Sequence, residues 1–374
     1  MKIVHLITTL GVGGAEKHLL WLGEGQRAAG HEVSVLYLKG EGELADEFSA
    51  AGIPTQKIPF ESLGDLWRAL GGIRRRLKDL QPDVLHSHLL KADALSALVG
   101  HRAGVPVVIS SKHNDERALL RRSIGVVHGL LTRRVDRVIA LSDHVARFVA
   151  QRGHVPRDAI TRIYYGVDAA ALRASRTREE VRAELGIDAA TKVLVCVGRL
   201  APQKDHPTLL RALSLLPHDV VLLVVGGDPF GDGRHRLETL AKTLGVADRA
   251  RFLGIRHDVP DLLEASDLFV LPSLWEGLGL VFLEAMAVRL PIVASDVSAI
   301  PEVVEDGVSG WLVPPGDPEA LAAAIQEGCG NEADRLARGV AGHMRLLERF
   351  ALPTMVERTL EIYEQALSAK RSSS

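Results

Sequence analysis

Short apolar runs alternate with longer helical patterns along the whole chain. Runs rich in Val, Ile and Leu predict strands at Ile3–Ile7, Glu32–Leu38, Val84–His86, Val107–Ser110 and Arg137–Leu141. A second series is predicted at Lys192–Val197, Val220–Val225, Arg251–Gly254, Leu268–Leu271 and Ile292–Ala294. Several are apolar at successive rather than alternate positions, the pattern of a strand covered on both faces. Strands alternating with helices imply an α/β fold whose parallel sheets are built from βαβ units.

The two halves open in the same way. Ile3–Thr8 leads through the glycine-rich Leu10–Glu16 into a helix from about Lys17, and Lys192–Val197 leads through Gly198–Asp205 into a helix from about Pro207. Strand, glycine loop and helix in that order open a Rossmann-like unit. The polar, Arg- and Glu-rich stretch Asp168–Asp188 follows the turn Tyr165-Gly166-Val167-Asp168 and is expected to link two domains, residues 1–170 and 171–352. In the closing segment, residues 353–374, a helix is expected over Thr354–Ala369 and a frayed tail from Arg371.

Composition narrows the function. With 374 residues, 47% of them hydrophobic, the chain has apolar mass for two cores. Its 45 basic and 47 acidic side chains leave a formal charge of −2, so a whole-chain basic footprint for nucleic acid is absent. Cys196 and Cys329 are too few for a disulfide framework or a Cys-based zinc site, and read as small apolar fillers in a reducing compartment. No apolar stretch approaches the roughly 18 residues of a membrane span. The opening MKIVHLITTL lacks the cleavage pattern of a signal peptide, so a cytoplasmic protein is expected.

The glycine loops are informative by what they lack. Gly11-Val12-Gly13-Gly14-Ala15-Glu16 misses the dinucleotide fingerprint G-x-G-x-x-G because Glu16 stands at the third glycine, and the second strand ends without an acid to hold a ribose hydroxyl. No G-x-x-x-x-G-K followed by Ser or Thr occurs. The first loop is therefore either a tight turn or a loop whose backbone N–H groups approach an anion at a helix N-terminus.

In the second half, Gly198-Arg199 ends a strand and Lys204 follows on the way into a helix. Arg199 could fork onto phosphate oxygens and Lys204 add a point charge, or both could be solvated loop cations. Within Pro272–Ala287 (PSLWEGLGLVFLEAMA), Glu276 sits in a loop after a strand, Gly277 and Gly279 permit close backbone approach, and a helix begins near Leu280 with Glu284 about one turn in. Both carboxylates then fall at the C-terminal edge of the sheet, where open α/β sheets bind ligands. A carboxylate there suits paired sugar hydroxyls. The apolar neighbours Leu283, Ala285, Met286 and Ala287 argue against Glu284 as a surface residue.

Glu276 and Glu284, within EGLGLVFLEAMA, resemble the Glu-x7-Glu signature of the family 4 retaining glycosyltransferases of GT-B fold. The resemblance runs through GVGGAE, YYGVD, VGRLAPQKD, Phe252–Gly254, PSLWEGLGL and PEVVEDGVSGWLVPPGD, essentially the whole chain. It implies two Rossmann-like parallel-sheet domains facing across a cleft, with the C-terminal helix crossing back to the first. It implies transfer of a hexose or N-acetylhexosamine from a UDP- or GDP-linked donor to an acceptor hydroxyl on a glycan or lipid-linked molecule. Transfer would proceed with retention, in bacterial polysaccharide, lipopolysaccharide or glycolipid synthesis. By the same resemblance Arg199 and Lys204, beside Gly198, would neutralise the donor diphosphate. Glu284 would hold the ribose diol and Glu276 the sugar hydroxyls. The backbone of Gly277, Leu278, Gly279 and Leu280 would contact phosphate or sugar. Gly254, Ile255 and Arg256 would border the base, and Gly13 and Gly14 would face donor phosphate and acceptor. Tyr165 stands where Asn is frequent, and Leu278 where Phe is common. No Asp-x-Asp occurs, which fits a diphosphate neutralised by Arg199, Lys204 and a helix dipole, with no metal or cofactor expected. The alternatives are an epimerase-like GT-B nucleotide-sugar enzyme and a non-catalytic glycosyltransferase-like partner; the second would be expected to have lost Arg199, Lys204, Glu276 or Glu284.

His86-Ser87-His88 and Ser111-Lys112-His113 each follow or end a predicted strand. His86, His88 and His113 could line a polar surface, serve structure or hold a metal, but no acidic or Cys partner lies at ligand spacing. The resemblance places His113 near the transferred sugar, which makes it the first-domain catalytic candidate, with Glu16, His86 and His88 on the acceptor side. Finally, Arg117–Arg137 carries Arg121, Arg122, Arg133 and Arg134 around Leu119, Leu120, Ile124, Val127, Leu130 and Leu131. Either a helix packs its apolar side inward and leaves the arginines in water, or a basic amphipathic surface meets anionic lipid or a lipid-diphosphate acceptor at the inner face of a membrane.

Overall fold

The computed structural model describes residues 1–228 and 231–372. It divides into two compact units, Met1–Gly166 with Leu352–Ser374, and Val167–Ala351.

The first unit holds β1 (Lys2–Thr9), β2 (Glu32–Lys39), β3 (Thr55–Lys57), β4 (Val84–His88), β5 (Val107–Lys112), β6 (Arg137–Ala140) and β7 (Ile160–Arg162). All pairings are parallel, in the order β3-β2-β1-β4-β5-β6-β7. The order reverses between β1 and β4, so a crevice opens beyond their C-terminal ends. On one face Val4, Leu6, Leu36, Leu38 and Leu85 pack with Ala69, Ile73, Leu77, Ala92 and Leu95 from covering helices. The closing helix, Leu352–Ser372, buries Met355, Val356, Ile362 and Tyr363 in this same unit. It extends through Arg371 and Ser372, which were expected to fray; Ser373 and Ser374 lie outside the described residues.

The helix Arg122–Thr132 turns only part of its apolar side inward: Ile124 and Leu131 are half-buried, and Leu119 just before the helix is buried. It buries Gly125, His128, Gly129 and Thr132, while Val126, Val127 and Leu130 are 43%, 55% and 58% exposed. The reason is close approach. A Cβ on Gly125 would strike the Arg152 carbonyl, and one on Gly129 would lie 2.7 Å from His154 Cβ. The glycine stripe is the most closely packed face, and Val126, Val127 and Leu130 are left outside beside exposed Arg121, Arg122, Arg133 and Arg134.

The second unit holds β8 (Lys192–Val197), β9 (Val220–Val225), β10 (Ala250–Gly254), β11 (Leu268–Leu271), β12 (Ile292–Ser295) and β13 (Gly310–Val313), all parallel, in the order β10-β9-β8-β11-β12-β13. Its switch point falls between β8 and β11. The stretch expected to be a linker is built into this unit. Thr177 and Glu180 form a capping box that starts the helix Arg178–Glu184. Arg178 and Arg182 reach Asp267 at 2.8 and 2.9 Å, and Arg176 reaches Asp261 at 2.8 Å. Burial alone would raise the Asp267 carboxyl, but the Val193 N–H and the guanidinia of Arg178, Arg182 and Arg335 hold it below the usual range.

Candidate active site

In the second unit Gly198, Arg199, Lys204 and Glu276 gather at the β8/β11 switch point. β8 delivers Gly198 and Arg199, and a short turn of helix, Pro202–Lys204, swings the Lys204 side chain back over Gly198. β11 delivers the loop that carries Glu276. Lys204 Nζ lies 2.5 Å from Glu276 Oε1, with both side chains largely buried. The Ser273 hydroxyl donates to the same oxygen at 2.7 Å. Gln203 Nε2 donates to the Trp275 carbonyl at 2.8 Å and so ties the two loops together. The Arg199 side chain is exposed and has no ion pair among the described residues. One free guanidinium beside a held lysine–carboxylate pair provides cations for a diphosphate and an acceptor for hydroxyls.

Gly277, Leu278 and Gly279 are buried, and Gly279 stands before the helix Leu280–Ala287 at φ 86°, a left-handed conformation that suits glycine. Glu284 is 5% exposed on that otherwise apolar helix, so its carboxylate is held inside rather than in solvent. Gly254, at φ 71°, turns the chain out of β10, and Ile255 is exposed beside it. The Arg256 guanidinium is held by Asp258 at 2.6 and 2.7 Å and by Glu184 at 3.2 Å.

In the first unit the loop after β1 gives a helix starting at Gly14, with Gly13 extended at its N-cap. Glu16 folds back over Gly13 and accepts from Thr9 Oγ1 at 2.6 Å. The helix N-terminus therefore already carries its own carboxylate, which weighs against the anion reading of this loop. The β1/β4 switch point is filled by imidazoles. His5 pairs in register with His86, and His88 closes the strand on the same face. His5 Nδ1 lies 2.9 Å from His88 Nε2, and His88 Nδ1 lies 3.0 Å from His113 Nε2. His113 Nδ1 lies 2.8 Å from the Tyr165 hydroxyl. His18 adds a ring 4.3 Å from that of Tyr165. Burial lowers His5 and His113 to about 4, and drives His18, His86 and His88 well below their usual value, helped by neighbouring histidines. His5, His86 and His88 stand close enough to be drawn as a metal triad, but each of their ring nitrogens already has a hydrogen-bond partner. The sequence pattern did not single out His5, His18, Gln26, Gln203, Ser273 or Tyr363.

These arrangements can be set beside known proteins. The model described as glycosyl transferases group 1 matches residues 177–339, and the one described as glycosyltransferase family 4 matches residues 12–171. The D-inositol 3-phosphate glycosyltransferase of Mycolicibacterium gilvum is 32% identical over 86% of this chain and 78% of its own length. An Escherichia coli UDP-Gal:α-D-GlcNAc-diphosphoundecaprenol α-1,3-galactosyltransferase is 29% identical over 75% of each chain. The crystal structure of Anabaena HepE in complex with UDP and glucose superposes with a TM-score of 0.90 at 26% identity, covering 98% of this chain and 100% of that one. The fold is that of the GT-B glycosyltransferases, two Rossmann-like parallel-sheet units. The chain belongs to the group 1, family 4 glycosyltransferases.

Proposed function

We propose that the chain transfers a hexose or N-acetylhexosamine from a UDP-linked donor to a hydroxyl of a glycan or lipid-linked acceptor, with retention of anomeric configuration and without a metal. The observation that carries this reading is the Lys204–Glu276 pair at the β8/β11 switch point, with unpaired Arg199 beside it. Arg199 and Lys204 neutralise the diphosphate as the bond from the anomeric carbon to the β-phosphate oxygen breaks. The acceptor oxygen bonds to that carbon from the same face, and the departing phosphate takes the acceptor proton. Glu276 orients donor-sugar hydroxyls, and Glu284 holds the ribose diol. UDP is favoured over GDP because the HepE structures hold UDP and UDP-glucose and the Escherichia coli relative is named for UDP-Gal. Both named relatives act on phosphate-bearing acceptors, which supports an anionic acceptor here. The exposed arginine and apolar face of the helix Arg122–Thr132 is proposed to rest on an anionic membrane surface at the cytoplasmic side.

The test is product analysis with a panel of UDP- and GDP-sugars, together with UDP affinity in Arg199→Ala, Lys204→Ala and the double variant. Each single loss of a charged hydrogen-bond donor is expected to cost about 1.5–3 kcal/mol, roughly ten- to hundredfold. Wild-type affinity for UDP in the double variant would overturn the donor site. Epimerised nucleotide sugar with no acceptor product would favour the epimerase-like alternative.

A further inference from the structure

The histidines at the β1/β4 switch point belong to a longer hydrogen-bonded line. Beyond His5, its Nε2 meets Gln26 Oε1 at 2.8 Å. Gln26 Nε2 meets the Tyr363 hydroxyl of the closing helix at 3.2 Å. Tyr363 meets His86 Nδ1 at 2.5 Å, and His86 Nε2 meets Ser111 Oγ at 2.7 Å. Every member from Tyr165 to Ser111 is buried. A buried polar group without a partner is costly, so each link needs one donor and one acceptor.

With the rings neutral, that requirement leaves two arrangements of opposite direction, and the orientation of the Gln26 amide selects one. Its Oε1 only accepts, so His5 carries the proton on Nε2 and accepts at Nδ1. His88 must then donate from Nε2 to His5 and accept at Nδ1. His113 donates from Nε2 to His88 and accepts at Nδ1 from the Tyr165 hydroxyl. On the other side Gln26 Nε2 donates to Tyr363, which donates to His86 Nδ1, and His86 Nε2 donates to Ser111. Every link is satisfied and every bond runs the same way. Turning the Gln26 amide over would reverse every bond and every tautomer in the line.

We infer that Gln26 is a positioning residue that fixes the tautomer and ring orientation of His113 through this line, and that Tyr363 passes the same constraint to His86. Both nitrogens of His113 are engaged inside the protein, so its ring stands at the site as a fixed neutral surface and takes no acceptor proton. The proton is left to the departing phosphate. The inference rests on the proposed transferase reading for the role of His113, but the proton arrangement does not.

The test separates the two. In the 15N-labelled wild-type protein, long-range 1H–15N correlation should show His5, His86, His88 and His113 each as the neutral Nε2–H tautomer. An Nδ1–H tautomer or an imidazolium at any of the four near pH 7 overturns the inference, whatever the activity. Gln26→Met keeps length and apolar volume but cuts the line. It should leave His113 in mixed tautomers and lower kcat about tenfold with donor KM and UDP affinity unchanged. Tyr363→Phe should disturb the His86 tautomer and leave that of His113 set by Gln26. If Gln26→Met keeps a single Nε2–H tautomer at His113, Gln26 does not set it and the inference fails. If wild-type tautomers are as stated but no UDP-sugar is turned over, the transferase reading fails and the proton arrangement stands.

Discussion

The buried histidines should make the first unit lose stability as pH falls from about 6.5 towards 4. In the unfolded chain a histidine takes its proton near pH 6.5. In the fold, burial lowers His5 and His113 to about 4; His128 also falls to about 4, mainly through burial and then through Lys112. Between these values the unfolded state binds more protons than the native state, so stability falls as pH falls. The contribution is intact above about pH 6.5 and lost progressively towards pH 4. At pH 5 one such histidine weakens the fold by roughly 2 kcal/mol relative to pH 7. Protonating one ring breaks the hydrogen-bonded line and changes the cost of the next, so the single-site figure is the minimum expected. For a unit of this size that corresponds to a fall in Tm of at least about 4 °C. The second unit has His206 alone with such a shift, lowered to about 4 by burial and then by Lys204. Calorimetry at pH 7.5 and pH 5.0, with hydrogen-exchange mass spectrometry to locate the loss, measures the effect. Amides of β1, β4 and β5 should lose protection more than those of β8 and β11. Equal protection of the β1, β4 and β5 amides at the two pH values would refute the reasoning.

Three further outcomes follow from the structure. Under the proposed function Arg199 and Lys204 neutralise the diphosphate in place of a metal ion, so EDTA should leave initial transfer rates unchanged; full loss restored by Mn²⁺ or Mg²⁺ would show that the diphosphate is held differently. The wild type should co-sediment with anionic vesicles at low salt and release steeply as the screening length falls from about 10 Å at 0.1 M towards 3 Å at 1 M. Replacing Arg121, Arg122, Arg133 and Arg134 by Gln should abolish that binding and spare UDP affinity, whereas absence of wild-type binding at low salt would assign the exposed face another role. Asp267→Asn should destabilise the second unit by about 3–5 kcal/mol, since it strips the charge from a buried carboxylate that Arg178, Arg182 and Arg335 surround; an unchanged urea midpoint would contradict this.

The strands that the hydrophobic pattern revealed are chiefly those flanked on both sides in their sheets. β3, β7 and β13, which it did not reveal, are all edge strands. An edge strand pairs on one side only and is short here, as in Thr55–Lys57 and Ile160–Arg162, so no long apolar run marks it. Lys204 and Glu276 stood out because each lies in a short segment that follows a strand, and Glu284 because it is the one acid in an otherwise apolar helix. The histidine line was not, because its links join residues 83 and 337 positions apart and His5 looks like one polar interruption in an apolar run. The arginine-rich helix was legible only in part, for a different reason. Hydrophobicity pointed to its leucines and valines as the packing face, but Gly125, His128, Gly129 and Thr132 recur at spacings of three, one and three, which is itself a helical stripe. Close backbone approach outweighed side-chain burial.

The two switch points differ in charge, and the difference bears on what each can recognise. The one in the second unit carries a lysine, a free guanidinium and two carboxylates, which suit a diphosphate and its sugar hydroxyls. The one in the first unit is lined by imidazoles that burial keeps neutral near pH 7, and its helix N-terminus is already covered by Glu16. Neutral rings have little Coulombic hold on an anion, and both nitrogens of His5, His86, His88 and His113 are already engaged. Under the proposed function, the donor phosphates therefore belong to the second unit, and the His113 region contributes shape and orientation rather than charge. A phosphate on the acceptor must find its cations elsewhere. Arg121, Arg122, Arg133 and Arg134, all exposed beside the outward face of their helix, are basic groups of the first unit that the polar interior has not consumed.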